Sequence, residues 1–298
     1  AKPHGSGVTL RCANAAVAGW IKADARGFAG ATGPGSPGNV AAAAGHGGDG
    51  GKSGKSYGAL SRPTALGSGG ASSRTGGGAF RLIADHTITV DGKITADAAG
   101  TDAYTGADGS VWLVADTLAG KGALAAKGGN CSGSYVSGGG GRIALFAAHH
   151  DFTGSVSVAP GTVNGAAAPG KTGTLFRCTS PVPDCGAADG AGPQLISDFA
   201  VGSNAVCVTR TVTRWDRSFA WTDESRDPGG NPVNNAATYA LRGLPPAVSY
   251  DVFTNGALAI AGAVSGDTGT LPLGVVPLAP GAAVFVERVP TGTLILLR

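Results

Sequence analysis

The chain contains no Met, and only 14% of its 298 residues are charged, against roughly 25% in an average soluble domain. It begins at Ala1, and with Met missing this predicts a trimmed, processed and therefore secreted product. The net charge of +3 is weak and spread along the chain, which argues against nucleic acid as a partner. No apolar run reaches 18 residues, so no transmembrane segment is expected. No C-x-x-C, G-x-S-x-G, H-E-x-x-H or EF-hand loop occurs, and no cofactor is expected. Residues 51–56 (Gly-Lys-Ser-Gly-Lys-Ser) have the residue types of a phosphate loop, but lack its full spacing, its preceding strand and its following helix.

What is abundant is Gly, with 53 residues, beside a hydrophobic content of 42%. Gly does not recur at every third position, which excludes collagen. Val, Ile, Leu and aromatics return throughout, which argues against disorder. The Gly is organised by a repeat: Gly, a short apolar strand, a turn, a second short strand, then a Gly-rich linker. Copies begin at Gly78, Gly109 and Gly141, with a partial one at Gly173. Leu82, Leu113, Ile143 and Leu175 are spaced by 31, 30 and 32 residues; Leu10 and Ile21 fit an earlier copy, displaced by an insertion of about forty residues. Strands this short bury a face only by stacking in parallel at ~4.8 Å. Gly at this density excludes helical repeats, and two or three strands per period are too few for a propeller blade.

Alternation predicts that Phe80, Leu82, Val111, Leu113, Ile143 and Leu145 point inward, with Leu82, Leu113, Ile143 and Leu175 in one dry column. It places Arg81, Trp112 and Arg142 outward, as an exposed cation–π strip open to a glycan or a protein.

Gly76-Gly77-Gly78-Ala79-Phe80-Arg81-Leu82, Asp91-Gly92-Lys93-Ile94-Thr95-Ala96-Asp97, Gly109-Ser110-Val111-Trp112-Leu113 and Gly138-Gly139-Gly140-Gly141-Arg142-Ile143-Ala144-Leu145 resemble the glycine-rich β-helix repeats of large secreted and cell-surface proteins. The stretch from Gly45-His46-Gly47-Gly48-Asp49 to Gly67-Ser68-Gly69-Gly70 is similar to the insertion such proteins carry. The resemblance covers roughly residues 7–177. It implies a parallel β-helix in an extracellular or cell-surface setting, and it implies no activity.

The expected fold is all-β: a Gly-rich parallel β-helix over residues 1–185, with an insertion at 26–77, followed by a β-sandwich over 186–298. The insertion reads as an arm laid against the coils, where the lack of side chains lets backbones approach. After residue 185 the repeat stops and short alternating strands are predicted at 206–212, 218–223, 237–241, 248–253, 257–264, 270–276, 283–289 and 293–297. Asn255-Gly256 is a hairpin signal. The stretch Gly243-Leu244-Pro245-Pro246 with Tyr250-Asp251-Val252 is similar to a corner of immunoglobulin- or fibronectin-like modules.

Candidate sites are sparse. His46 with Asp49, and His149 with Asp151, have the residue types of metal ligands or of an acid/base pair. Cys178 and Cys185 bracket a short loop with two prolines and are disulfide candidates. Asp24 and Asp97 are equivalent by repeat position, but the following copies place Lys127 and Ala159 there, which breaks a carboxylate ladder. The apolar run Leu294, Ile295, Leu296, Leu297 reads either as the last sandwich strand or as a strand given to a neighbour. The function expected is a non-catalytic extracellular structural protein that assembles with copies of itself into a filament or surface layer. The alternatives are an adhesin or module that binds extracellular polysaccharide, and a polysaccharide lyase or hydrolase.

Overall fold

The computed structural model describes residues 5–71, 74–100, 103–132, 135–163, 169–180, 192–199, 206–278 and 281–290. Among them every regular element is a strand, and no helix is long and apolar enough to cross a membrane. The fold is a parallel β-helix followed by a β-sandwich.

Each coil of the β-helix contributes one long and one short strand. The long strands are β1 (Val8–Val17), β3 (Ala79–Val90), β5 (Ser110–Gly120), β7 (Arg142–Phe152) and β9 (Thr174–Cys178); the short ones are β2 (Trp20–Lys22), β4 (Lys93–Thr95), β6 (Ala123–Ala125) and β8 (Ser155–Ser157). β1-β3-β5-β7-β9 pair in parallel in that order, and β2-β4-β6-β8 form a second parallel sheet. The expected turn inside each copy is a bulge within one long strand, with register shifts such as that between Ile83 and Thr87. Ile88–Val90 thus stays with β3, and the second strand is only three residues long.

The stacking is as expected but one column is corrected. Leu113 pairs with Leu145, and Ile143 pairs with Val111 and Leu175. Two inward columns therefore run side by side: Val8, Phe80, Val111, Ile143, Leu175 and Leu10, Leu82, Leu113, Leu145. The spacings of 30 and 32 residues came from aligning Ile143 with Leu113. The run Gly138–Gly141 before that strand hid a slip of two residues, which preserves the inward face. With Ile94, Leu124 and Val156 from the short strands these columns form the β-helix core.

The sandwich grows from the same sheet. β11 (Val206–Trp215) pairs in parallel with β9 and antiparallel with β12 (Ser218–Arg226). β17 (Ala282–Arg288), β14 (Ser249–Thr254) and β15 (Ala257–Val264) follow, so one ten-stranded sheet runs from β1 to β15. A three-stranded sheet packs with it: β10 (Gln194–Phe199), β13 (Ala236–Arg242) and β16 (Leu271–Pro277). β10 had no counterpart among the predicted strands. Asn255 and Gly256 form the β14–β15 turn, with φ of 51° and 81°, the paired positive values of a type I′ hairpin.

The Gly-rich insertion is packed tightly against the coils. Its backbone carries no strand assignment, and hydrogen bonds tie it to several neighbours: Gly48 N–H donates to Gly140 O (2.8 Å), Gly139 to Ala44 O (3.0 Å), Ala44 to Thr105 O (3.1 Å) and Gly51 to Ser137 O (3.1 Å). A Cβ on Gly47 would overlap Gly141 O and stand 2.5 Å from the Gly141 carbonyl carbon. Only Gly permits such approach.

Candidate functional site

The outward residues of the long strands are the first to differ in role from expectation. Arg81 pairs with Trp112, and its guanidinium stacks on the indole at 3.9 Å. The strip does not continue to Arg142, which pairs with Ser110, two residues earlier. Nor is it open to a ligand: Trp112 is 2% exposed. Ile83, Trp112, Val114, Ala144, Phe146, Phe176, Cys178 and Val208 form a second apolar core, joined by Leu60 of the insertion and Phe199 of β10. The insertion and the sandwich cover this face. An aromatic series passes from Trp112 through Phe146, Phe176 and Phe199 to Tyr239 and Trp221.

Arg142 is the odd member of a column of small residues (Ala79, Ser110, Thr174), and that is the signal for its role. Its Nε and Nη2 donate to Tyr57 O (3.0 and 2.7 Å), Nη1 to Thr174 Oγ1 (2.8 Å) and Nη2 also to His46 O (3.4 Å). Burial lowers its pKa to about 10. The guanidinium thus pins the insertion to coil β7–β9. Tyr57 donates its hydroxyl hydrogen to Leu66 O and accepts from Ser68 Oγ (2.9 Å); burial raises its pKa to about 12.

His46 and Asp49 do not form a pair. His46 is fully buried, its Nδ1 2.7 Å from Asp108 O, so Nδ1 carries the hydrogen. Burial, then the charge of Arg142, lowers its pKa to about 3. Asp49 Oδ1 accepts from Ser56 N (2.7 Å) and closes its own loop. His149 and Asp151 are exposed at the end of β7, where His150 Nε2 lies 2.9 Å from Cys178 O. Among the described residues no three His, Cys, Asp or Glu side chains are placed to share a metal ion. Cys178 is buried; Cys185 lies outside the described residues, as do Leu294, Ile295, Leu296 and Leu297.

Asp24 and Asp97, which repeat equivalence picked out, and Asp108 beside them are engaged with backbone. Asp24 Oδ1 accepts from Asp97 N (2.9 Å), Asp97 Oδ1 from Lys127 N (2.7 Å) and Asp108 Oδ1 from Ala98 N (2.9 Å). Asp24 and Asp97 line an open groove with Lys22 and Arg26. Burial raises the pKa of Asp97, and burial together with the nearby Asp97 raises that of Asp108 further.

A buried ion pair absent from the sequence reading sits where β-helix and sandwich meet. Arg210 donates from Nε and Nη2 to Asp223 Oδ1 (2.8 Å) and Oδ2 (2.6 Å), and Tyr239 Oη donates to Asp223 Oδ2 (2.5 Å). Arg210 continues the outward column of Val114, Phe146 and Cys178. A charge in that column requires a partner, but seeing this needs the β9–β11 register. Burial works to lower the Arg210 pKa, and the adjacent Asp223 outweighs it and holds the pKa above the usual value.

The remaining feature is the outer edge of the first described coil. Val8 and Leu10 belong to the inward columns, yet they are 52% and 48% exposed, while Phe80 and Leu82 one coil on are 5% and 3%. Trp20 at the same end is 56% exposed, with Lys22 Nζ 4.5 Å and Lys93 Nζ 5.7 Å from its ring. β15, at the other end of the ten-stranded sheet, also shows apolar side chains, Leu258 and Val264. No family model, no curated protein and no solved structure matches the chain.

Proposed function

We propose that this chain is a non-catalytic structural module of an extracellular or cell-surface assembly, built by joining copies of itself through the ends of the ten-stranded sheet. One observation carries the reading: the inward columns of the β-helix end on exposed Val8 and Leu10 in β1, the last described strand of the sheet at that end. An exposed apolar solenoid edge is buried by the addition of another rung, and an apolar edge strand invites pairing. The polar side chains that chemistry would need support the same view. Asp24, Asp97 and Asp108 bond backbone N–H groups, and His46 and Arg142 are buried in the seam of the insertion. Low charge and high Gly suit a protein packed among its own copies, and the resemblance to secreted Gly-rich repeats is what supports an extracellular setting.

Sedimentation velocity over a hundredfold range of concentration tests this. The expected result is a size distribution that grows with concentration and collapses to monomer in Leu10→Glu, whose half-exposed site tolerates the charge. A single monomeric species at every concentration would refute it.

A glycan-binding reading persists at one place. Trp20 presents its ring beside two lysines, and its indole N–H is fixed by donation to Thr95 Oγ1 (2.8 Å). An acidic polysaccharide is the ligand this chemistry fits. Loss of retention on such a polysaccharide in Trp20→Ala is the expected outcome, and equal retention counts against it.

A further inference from the structure

The side chains around Trp20 continue into a groove on the outward face of the short-strand sheet. Alternation along β2 packs Ile21 on the β-helix core and leaves Trp20 and Lys22 on the outward face. Trp20 pairs with Lys93 of β4, and the ammonium groups of Lys22 and Lys93 lie 4.5 and 5.7 Å from its ring, which is still 56% exposed. Lys22 Nζ also stands 3.7 Å from Asp24 Oδ2. One ammonium thus links the indole to a groove of about 810 Å³ whose polar lining is Lys22, Asp24, Arg26 and Asp97. Ligand sites typically run from about 300 to 1,000 Å³. Backbone bonds fix the groove beyond the two strands: Ala23 N–H donates to Thr95 O (2.7 Å) and Ala25 N–H to Asp97 O (2.9 Å).

Both carboxylates of the groove are held at one oxygen and left available at the other. Asp24 Oδ1 accepts from Asp97 N and Asp97 Oδ1 from Lys127 N. Among the described residues Asp24 Oδ2 meets only Lys22, and Asp97 Oδ2 has no hydrogen-bond partner. Nor do Arg26 and Lys93 have a carboxylate within ion-pair distance among the described residues. The face therefore combines an indole, two unpaired cations and two fixed acceptor oxygens. A sugar ring stacks its apolar side on an indole, an anionic group goes to the cations, and ring hydroxyls donate to the carboxylates. A heavily sulfated chain would bring sulfate esters against Asp24 and Asp97, where like charges repel. A polyuronate carries one carboxylate per ring and keeps its ring hydroxyls as donors. We propose that Trp20 and this groove form one binding site for a polyuronate chain, with a ring on the indole, uronate carboxylates at Lys93 and Arg26, and hydroxyls donating to Asp24 and Asp97. This rests on the glycan-binding reading of Trp20 and specifies the extent of the site and its ligand.

Fluorescence titration of the full chain with galacturonate oligomers tests this, because Trp20 is the one exposed indole: Trp112 and Trp221 are buried and Trp215 is partly buried. The oligomers are expected to change the Trp20 emission to saturation, while neutral cello-oligosaccharides and heparin fragments of equal length bind about tenfold more weakly or worse. Asp97→Asn keeps an acceptor for Lys127 N, and Arg26→Ala alters an exposed side chain, so both are expected to fold as the wild type does. Each is expected to weaken galacturonate binding about tenfold, the loss of one charge-assisted contact. Asp97→Asn is also expected to narrow the gap to heparin, a change of preference that a purely structural Asp97 would not produce. Calorimetry with the same oligomers replaces fluorescence for Trp20→Ala, which is expected to lose binding. If galacturonate binding needs Trp20 but is unchanged in both groove variants, or if heparin binds as tightly, the proposed site is wrong and the Trp20 reading stands. If no acidic polysaccharide binds, or Trp20→Ala binds as the wild type does, that reading falls and this inference with it.

Discussion

Replacing Gly47 by Ala tests the interlocking of the insertion with the coils. The new methyl group would overlap Gly141 O and lie 2.5 Å from the Gly141 carbonyl carbon and 2.8 Å from Gly140 O. All three atoms belong to backbone that is itself hydrogen-bonded to neighbouring segments, so no side chain can swing aside. Overpacking of this kind costs about 1–3 kcal/mol, and here the upper part of that range applies because two backbones must separate. Against it stands the reduced freedom of the unfolded chain, a gain of about 0.4–1 kcal/mol for Gly→Ala. The net expectation is a loss of about 2 kcal/mol, or roughly 4–8 °C in Tm for a chain of this size. Gly19→Ala is the matched control, since a Cβ there meets nothing within 4 Å, and it is expected to leave Tm unchanged or raise it slightly. Circular-dichroism melts of the two variants beside the wild type decide the matter. If Gly47→Ala melts with Gly19→Ala, the insertion is not packed between the coils and the seam described here is wrong.

Three further expectations follow from the buried groups. His46 has a pKa of about 3 in the fold against its ordinary 6.5, so between these values only the unfolded chain takes up a proton there, and stability falls as pH drops through that window. The raised carboxyls of Asp97 and Asp108 act in the opposite sense, so the His46 contribution is read as a difference: urea melts from pH 7 to pH 4 should show the wild type losing more stability than His46→Asn, which keeps an N–H toward Asp108 O, and parallel slopes would exclude the assignment. Asp223→Ala strands the buried Arg210 guanidinium and should cost about 3–5 kcal/mol, whereas the joint change Arg210→Leu/Asp223→Leu should cost less than the single one; the reverse order in denaturant unfolding would mean that the pair is solvated. Trp112→Ala should cost about 3–5 kcal/mol, a loss that an exposed indole would not produce in the same measurement.

Much of this fold was legible because a β-helix writes its period into the chain. Leu10 was aligned with Leu82 across the insertion, and Ile21 with Ile94, from spacing alone, and both pairs are in register. The hairpin at Asn255-Gly256 was equally plain, because positive φ at two successive residues restricts composition. What alternation does not tell is whether an outward face stays outward. Arg81 and Trp112 do point away from the β-helix core, yet another sheet and the insertion lie on top of them. Burial of that face depends on β9 pairing with β11, a contact between segments some thirty residues apart that carry no common motif. The polar seam of His46, Tyr57 and Arg142 escaped for a related reason. Its members lie far apart in sequence, and only the stacking that makes Arg142 large among small neighbours brings them together.

The account turns on copies joining along the axis on which the coils stack. Fibre diffraction from aligned assemblies addresses this most directly, because strands of the ten-stranded sheet lie about 4.8 Å apart along that axis. Joining through the ends of that sheet predicts a strong reflection at that spacing on the meridian, parallel to the fibre. The same reflection on the equator would mean that the copies lie side by side, and would contradict the proposal.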